Sequence, residues 1–228
     1  MNVLEKTGLG RLKKLGTLLI YVGMVAVFTV LKPQYLSFTN FRSILIQAAM
    51  LGIIACGMTL VMMTGGVDMS VGAVAGVSTL AGMWIVVFDD VPLPLGILVA
   101  LGIALVFGLI NGICVARLGI APFVATLGTM FLAQGLQYLF SDGGMSISYG
   151  FPTAYRFFGS GSLGPIPMPV LLFLVIFAAI LLMTEYTPAG RYLRGTGLNQ
   201  FTSKLSGIHV RSFTLLSYVL CSLLAAIL

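Results

Sequence analysis

A single acidic residue stands between two long apolar stretches in the sequence MMTGGVDMSVGA, residues 62–73. Asp68 follows Gly65 and Gly66 and precedes Ser70. A carboxylate at this place could cap the next helix, contact a substrate or lie hydrated in a short turn. The two glycines allow the backbone to leave helical geometry just before it, which membrane proteins tolerate where backbone is packed in protein or lines water. The stretch therefore predicts a broken helix with Asp68 at its end.

Asn111 is a second polar residue within apolar sequence, in LINGICVARLGIAP. An asparagine inside the membrane either hydrogen-bonds to a neighbouring helix or lines a pathway, and the residue type alone favours neither. Thr126 and Thr129 follow in the next apolar stretch. We expect their hydroxyls to bond back to carbonyls of their own helix.

The sequence offers no set of catalytic or metal-binding residues. His209 is the only histidine, and Cys56, Cys114 and Cys221 form no C-x-x-C pair, so neither a His-based triad nor a zinc site can be assembled. No G-x-x-x-x-G-K-[ST] sequence occurs, so a P-loop is excluded. We therefore expect no enzymatic site, no metal and no cofactor bound by this chain.

These residues must be positioned by membrane-spanning helices. Of the 228 residues, 59% are hydrophobic and 8% are charged, with a mean hydropathy of +1.10. About 20 apolar residues cross a bilayer as a helix. The fold class predicted is all-α, a multi-pass helical membrane protein with seven spans. The predicted spans are residues 15–32, 43–64, 69–88, 93–116, 121–140, 169–185 and 212–228.

The basic residues predict the orientation of the chain, because cytoplasmic loops collect Lys and Arg. With the N-terminus in the cytoplasm, nine of the twelve fall inside and three outside. The inside set is Lys6, Arg11, Lys13, Lys14, Arg117, Arg191, Arg194, Lys204 and Arg211. The outside set is Lys32, Arg42 and Arg156. They form no continuous basic face with aromatic platforms, so nucleic acid is not an expected partner.

The predicted inside connection, residues 186–211, is the longest internal polar segment. Asn199 is a typical N-cap for a short helix, and Gly207 is a typical stop. Phe201, Leu205 and Ile208 recur at spacings of four and three, which places them on one face of that helix. The segment is either a helix on the membrane surface or a docking helix for a cytoplasmic partner.

Glycines spaced by four residues predict close packing of membrane helices. Gly72 and Gly76 form one such pair, and Gly108 and Gly112 form another.

Three motifs together resemble one family. TGGVDMSVGAVAGVSTLAG (64–82), GLINGICVARLGIAPFVATLGTM (108–130) and TPAGRYLRGTGLNQFTSKLSGIHV (187–210) are similar, in order and spacing, to signature regions of monosaccharide ABC importer permeases. These are the importers of the ribose, xylose, galactose and arabinose type, and the resemblance covers nearly all of the chain. It implies a single transmembrane permease domain over residues 1–228. Because family members have about ten spans and this sequence stops inside an apolar stretch, we expect a truncated chain.

The resemblance also implies partners and a location. Such permeases lie in the bacterial inner membrane, usually as homodimers, with a cytoplasmic ATP-binding subunit and a periplasmic sugar-binding protein. ATP is then bound by the partner subunit, and this chain contacts only protein, sugar and membrane lipid. The third motif corresponds to the segment that couples the permease to the ATPase, with a coupling helix over residues 198–208.

The residues assigned to coupling by this resemblance are Gly190, Arg191, Gly197, Asn199, Lys204, Leu205, Ser206, Gly207 and Ile208. Thr196, Thr202 and Ser203 depart from the family pattern, the last two at its usual alanine pair. The candidates for the broken helix or the pathway are Gly65, Gly66, Asp68, Ser70 and Asn111.

The function predicted is ATP-driven import of a pentose or hexose by alternating access. Two other classes remain open from the residues. An ion-coupled secondary transporter of small polar solutes would need ionisable groups near the middle of the membrane, and only Asp68 comes close. The second alternative is a membrane scaffold that transports nothing, which would need no ionisable groups in the membrane.

Overall fold

The structure is a computed structural model that describes residues 8–141 and 151–227. Lys6 of the N-terminal basic group, residues 142–150 between the fifth and sixth predicted spans, and Leu228 at the end of the seventh lie outside these ranges. The chain divides into two compact units, residues 1–45 and residues 46–228.

The first unit consists of a long apolar helix and a tight turn. Helix α1 covers Gly8–Leu31, and a 3-10 turn covers Pro33–Leu36. The rings of Phe28 and Tyr35 stack with their centroids 5.7 Å apart. Asn40 donates a 2.7 Å hydrogen bond to the carbonyl oxygen of Tyr35, which fixes the turn at the start of the next helix.

Long apolar helices make up most of the second unit. They are α2 (Phe38–Met63, of which residues 38–45 belong to the first unit), α3 (Val71–Phe88), α4 (Leu93–Ala116), α5 (Pro122–Phe140), α7 (Met168–Tyr186) and α10 (Val210–Ala225). Proline in the first turn of α4, α5 and α7 favours their starts, because its missing N–H costs nothing there. Helix α6 (Thr153–Ser160) precedes a two-stranded hairpin, β1 (Ser162–Leu163) and β2 (Ile166–Pro167).

Each predicted span overlaps one of these helices, with boundaries that differ by at most three residues except at the starts of α1 and α2, which lie seven and five residues earlier than predicted. The bounds of α4 are those predicted, 93–116, because flanking charges and prolines limit the apolar run there. Among the described residues, α2, α3, α4, α5 and α7 are long and apolar enough to cross a bilayer. The apolar part of α1, Leu18–Leu31, and helix α10 are shorter, so the count of seven spans stays a prediction.

Small residues bring α4 and α10 together in antiparallel fashion. A Cβ on Gly108 would lie 2.8 Å from the Cα of Val219, and a Cβ on Gly112 would lie 3.0 Å from Leu215. The predicted contact role of the Gly108–Gly112 pair is therefore correct. The prediction that Gly72 and Gly76 form a close helix contact is wrong for Gly72, because a Cβ there would meet nothing within 4 Å.

The predicted inside connection contains two helices rather than one. Helix α8 covers Pro188–Leu198 and helix α9 covers Gln200–Leu205, with the break at Asn199. The expectation of one coupling helix over 198–208 is thus wrong in its extent. Asn199 has extended backbone (φ −158°, ψ 104°), so the chain changes direction there.

Candidate functional site

Gly65 ends α2 in a Schellman motif. Its φ of +83° lies in the left-handed region, where glycine has no Cβ to clash. The N–H of Gly65 donates to the carbonyl oxygen of Met62 at 2.9 Å, and that of Gly66 donates to Val61 at 3.1 Å. The prediction that these glycines break the helix before Asp68 is confirmed.

A hydrogen-bond chain joins the turn before α3 to α4 and α5. Thr129 of α5 donates to Oδ1 of Asn111 on α4 at 2.7 Å. Asn111 Nδ2 donates to Ser70 Oγ at 2.8 Å, and Ser70 Oγ donates to Oδ1 of Asp68 at 2.6 Å. The backbone N–H of Ser70 adds a 2.8 Å bond to the same oxygen. We call Asp68, Ser70, Asn111 and Thr129 the Asp68 network; all four side chains are buried.

Asp68 is fully buried, with 0% of its surface exposed, so the interpretation as a hydrated turn residue is wrong. The capping interpretation also needs correction. Asp68 accepts from Ser70, one residue before α3 begins at Val71, and therefore closes a local turn instead of capping the helix amides. Burial raises the pKa of the Asp68 carboxyl above its ordinary value of 3.8, and the bonds from the Ser70 side chain and backbone oppose that rise. Its second oxygen, Oδ2, has no partner among the described residues.

Helix α10 closes the other side of this turn. Tyr218 donates from its hydroxyl to the carbonyl oxygen of Val67 at 3.2 Å. Gly66 packs against that hydroxyl, since a Cβ there would lie 2.4 Å from it. The hydroxyls of Thr64 and Ser217 are 3.3 Å apart. The segment between α2 and α3 is therefore held by α4 and α10 together.

The α8–α9 segment presents an apolar face to the surroundings. The side chain of Asn199 accepts a 3.0 Å bond from the N–H of Thr202, so its prediction as an N-cap is confirmed. Gly207, at φ +80°, follows α9 and ends it as predicted. Phe201 and Leu205 are 71% and 75% exposed, whereas Ile208 is half-buried and does not complete the predicted stripe.

Gly197 brings the α8–α9 segment against the end of α2. A Cβ at Gly197 would lie 2.2 Å from the carbonyl oxygen of Met63 and 3.3 Å from the backbone nitrogen of Gly65. Thr196 beside it is fully buried. The backbone of α8 thus touches the Schellman turn that leads into the Asp68 network.

The corner between α7 and α8 is also tightly packed. A Cβ on Gly190 would lie 2.0 Å from the carbonyl oxygen of Thr184. Arg194 pairs with Glu185 at 2.9 Å and donates to that same carbonyl oxygen. The remaining predicted coupling residues are exposed: Arg191, Lys204 and Ser206.

The structure brings two predicted groups of residues into one unit. Gly65, Gly66, Asp68, Ser70 and Asn111 lie together around the end of α2. Gly197 joins them to the coupling residues of α8 and α9. Sequence reasoning missed the link to Thr129 and the contact of Tyr218, because both depend on how neighbouring helices are rotated. A tyrosine within an apolar stretch was the one available signal for Tyr218, since a buried phenol needs a partner.

This arrangement fits positioning rather than bond-making chemistry. In the Asp68 network a chain of hydroxyl and amide donors ends at one carboxylate, and Ser70, whose hydroxyl contacts that carboxylate, is itself buried and accepts a bond from Asn111. Within residues 8–141 and 151–227, no group of three His, Cys, Asp or Glu side chains could hold a metal ion. A helix break supported by buried polar bonds is typical of membrane transport proteins.

The fold and this site define a multi-pass helical membrane protein of the transport class. Large apolar side chains such as Leu98 (62% exposed) and Val175 (69%) face outward along the long helices, which a water-soluble protein of this size would not tolerate. The family model described as "Branched-chain amino acid transport system / permease component" matches residues 40–228. The chain belongs to this family of transport permeases.

Characterised relatives are sugar import permeases. The chain is 36% identical over 224 residues to the ribose import permease protein RbsC of Bacillus subtilis, an alignment covering 96% of this chain and 67% of that protein. It is 40% identical over 186 residues to the galactofuranose transporter permease protein YtfT of Escherichia coli (81% and 53%). It is 30% identical over 233 residues to the E. coli galactose/methyl galactoside import permease protein MglC (95% and 69%).

The chain thus spans about half to two thirds of the length of the relatives it matches. No solved structure matches it significantly. The relatives are permease subunits of sugar importers, so the comparisons favour the permease interpretation over an ion-coupled secondary transporter.

Proposed function

We propose that this chain is the membrane-embedded permease subunit of an ATP-driven importer that carries a monosaccharide across the bacterial inner membrane. It acts as one of two permease subunits, with its N-terminus in the cytoplasm. It binds no cofactor itself, and ATP binds to a separate cytoplasmic subunit. A periplasmic binding protein delivers the sugar. The family description names branched-chain amino acids, but the sugar permeases among the relatives support a sugar as the substrate.

The observation that carries this proposal is the exposed apolar face of the α8–α9 segment. Leu198, at the end of α8, and Phe201 and Leu205 of α9 are between 71% and 86% exposed, among polar side chains. Exposed aromatic and aliphatic side chains of this kind serve as anchors in protein interfaces. We assign this face to the ATPase subunit. Docking of that subunit would act on the contact between Gly197 and the end of α2.

Movement of the α8–α9 segment would reach the Asp68 network through backbone. Gly197 contacts Met63, which precedes the Schellman turn at Gly65. The turn in turn positions Asp68 and Ser70, which hold α4 and α5 through Asn111 and Thr129. In this proposal, α2, α4 and α5 move relative to one another when the hydrogen bonds of the Asp68 network change from one arrangement to another. That movement provides alternating access.

The test replaces both exposed anchors, Phe201→Ser with Leu205→Ser, in the assembled transporter. Because these side chains are mostly exposed, the variant should insert and fold normally. We expect its affinity for the ATPase subunit to fall at least about tenfold, as for other interface anchors, and ATP-driven ribose uptake to fall with it. Co-purification measures the first effect and uptake into proteoliposomes the second.

Leu118→Ser provides the matched control. Leu118 is 66% exposed and belongs to the connection between α4 and α5, not to the α8–α9 segment. The substitution Leu118→Ser should leave both the binding of the ATPase subunit and the ATP-driven uptake unchanged. Undiminished ATPase binding by the double variant would refute the docking assignment. Uptake that survives ATP depletion and collapses with an ionophore would instead identify an ion-coupled transporter.

A further inference from the structure

Positive charge converges on an open cavity of about 960 Å³ at one end of the helix bundle. Arg117 follows the last residue of α4, and Lys204 lies on α9. His209 and Arg211 lie at the start of α10. All four side chains line the cavity and are exposed. Three permanent cations thus share one concave site.

No acidic side chain in the described part of the chain balances these charges. The one ion pair found there joins Arg194 to Glu185. Asp68 is buried within its own hydrogen-bond network. Asp89 and Asp90 precede the start of α4, whereas Arg117 follows its end, and a 24-residue helix is about 36 Å long. Within the described part of the chain, the cations of this cavity are therefore left available to an anion from outside.

Apolar side chains of α10, one of the shorter apolar helices, form part of the cavity lining, which we call its floor. Leu215 and Leu216 of α10 line it, and Leu216 is 45% exposed. Helices α4 and α10 pack antiparallel through Gly112 and Leu215, so the end of α4 and the start of α10 lie at the same boundary of the bundle. The site thus offers cations at headgroup level above a hydrophobic surface that continues along α10.

We propose that this cavity binds the headgroup of an anionic phospholipid, with an acyl chain along the outer surface of α10. Clusters of Lys and Arg beside membrane helices attract acidic lipids, at about fivefold in affinity per charge. An apolar floor suits a lipid better than free phosphate, which would gain nothing from Leu215 and Leu216. An acidic protein surface is less favoured, because the exposed anchors Phe201 and Leu205 do not line this cavity. The lipid would stabilise the position of α9 through Lys204.

The experiment titrates the purified full-length permease in neutral detergent with phosphatidylglycerol or phosphatidylcholine and counts bound lipid by native mass spectrometry. We expect the first phosphatidylglycerol to bind at least about 25-fold more tightly than phosphatidylcholine. The double variant Arg117→Gln with Arg211→Gln should reduce this preference about 25-fold, because two of the three cations are removed and Lys204 remains. The double variant with Lys at both positions should retain it, because the charges remain. The single variants should each lose about fivefold, and size-exclusion profiles verify that each protein is folded.

Arg156→Gln is the matched control, since Arg156 is an exposed arginine on α6 that does not line the cavity. Equal phosphatidylglycerol preference in the wild type and the Gln double variant overturns the proposal, as does an equal loss in Arg156→Gln. Displacement of the lipid by millimolar inorganic phosphate would indicate a simple anion site and overturn it too. A Gln double variant that keeps its lipid preference but loses the ATPase subunit would identify a protein interface instead.

Discussion

At the scale of single residues, the direction of the hydrogen bonds in the Asp68 network determines what Asp68 can do. Thr129, Asn111 and Ser70 each donate toward the carboxylate, so the network has one polarity. Hydrogen bonds arranged in series strengthen one another in a low-dielectric interior. They compensate part of the cost of burying a carboxylate, but Oδ2 stays without a described partner. Burial therefore dominates, and it raises the pKa of Asp68.

A pH dependence of stability follows from this raised pKa. Between the ordinary value of 3.8 and the raised value in the folded protein, the folded state binds more protons than the unfolded state. The contribution of Asp68 to stability is thus fully present below pH 3.8 and is lost as the pH rises through the folded pKa. Asp68→Asn keeps an oxygen for both Ser70 donors and removes the titration. We expect the melting temperature of the wild type minus that of Asp68→Asn to decrease from pH 4 to pH 8.

Asp89→Asn controls for the loss of one negative charge, because Asp89 is exposed after the end of α3. The difference in melting temperature between the wild type and Asp89→Asn should not decrease from pH 4 to pH 8 in the way expected for Asp68→Asn. A wild-type minus Asp68→Asn difference that increases with pH would show that hydrogen bonding to the carboxylate outweighs its burial.

Sequence reasoning found the residues of the site more readily than their connections. Asp68 and Asn111 stood out because polar residues are scarce in apolar sequence, and each is costly to bury without a partner. Whether Asp68 would be hydrated or buried depended on α4 and α10 covering the turn, which no local pattern encodes. Thr129 was expected to bond only to its own helix, and it does approach the carbonyl oxygens of Ala125 and Thr126. Its bond to Asn111 needs the relative rotation of two helices.

At the scale of helices, close approach of α4 and α10 rests on glycine. The Cβ of an alanine at Gly108 would lie 2.8 Å from the Cα of Val219, which is backbone and cannot rotate away. On the same helix, a Cβ at Gly102 would meet nothing within 4 Å. Lipid offers no hydrophobic driving force between helices, so this contact depends on packing.

Gly108→Ala should therefore lower the free energy of unfolding by about 1–3 kcal/mol, the usual cost of overpacking. Gly102→Ala should leave it unchanged or raise it by up to about 1 kcal/mol, because alanine loses less backbone entropy in a helix. Unfolding in mixed micelles with increasing SDS measures both. Equal effects of the two substitutions would mean that α4 and α10 do not pack through Gly108.

The length of apolar stretches predicted the long helices well, but it gave no information on the helices in polar sequence. Residues 93–116 form α4 as expected because the bilayer requirement and the flanking residues define both ends. Helix α8 lies in the predicted polar connection and contains Gly190, Gly195 and Gly197, a residue type that is unfavourable inside a helix. Those glycines are explained by packing: Gly190 and Gly197 each touch a carbonyl oxygen of a neighbouring segment. The short β1–β2 hairpin was also missed, because a two-residue strand has no periodicity to detect.

At the scale of the whole transport unit formed by residues 46–228, the proposed coupling passes through one backbone contact. The α8–α9 segment carries the exposed face that we propose for the ATPase subunit, and the Asp68 network holds α4 and α5. Gly197 connects them by touching the end of α2. Because this contact is made by backbone atoms of α8 and α2, a displacement of one helix cannot be absorbed by a change of side-chain rotamer.

Gly197→Ala tests this connection in the complete transporter. Its Cβ would lie 2.2 Å from the carbonyl oxygen of Met63, so either α8 or the end of α2 must shift. We expect ATP hydrolysis by the complex to stay within about twofold of the wild type, whereas ATP-driven sugar uptake falls about tenfold or more, which corresponds to about 1.4 kcal/mol of lost coupling.

Gly128→Ala serves as the control, because a Cβ there would meet nothing within 4 Å, and it should preserve both rates. A parallel fall of hydrolysis and uptake in Gly197→Ala would indicate that the ATPase no longer docks, and would place the defect on the α8–α9 surface. Normal uptake in a folded Gly197→Ala transporter would show that movement reaches the Asp68 network by another route, because the contact between Gly197 and Met63 would then have been displaced without consequence.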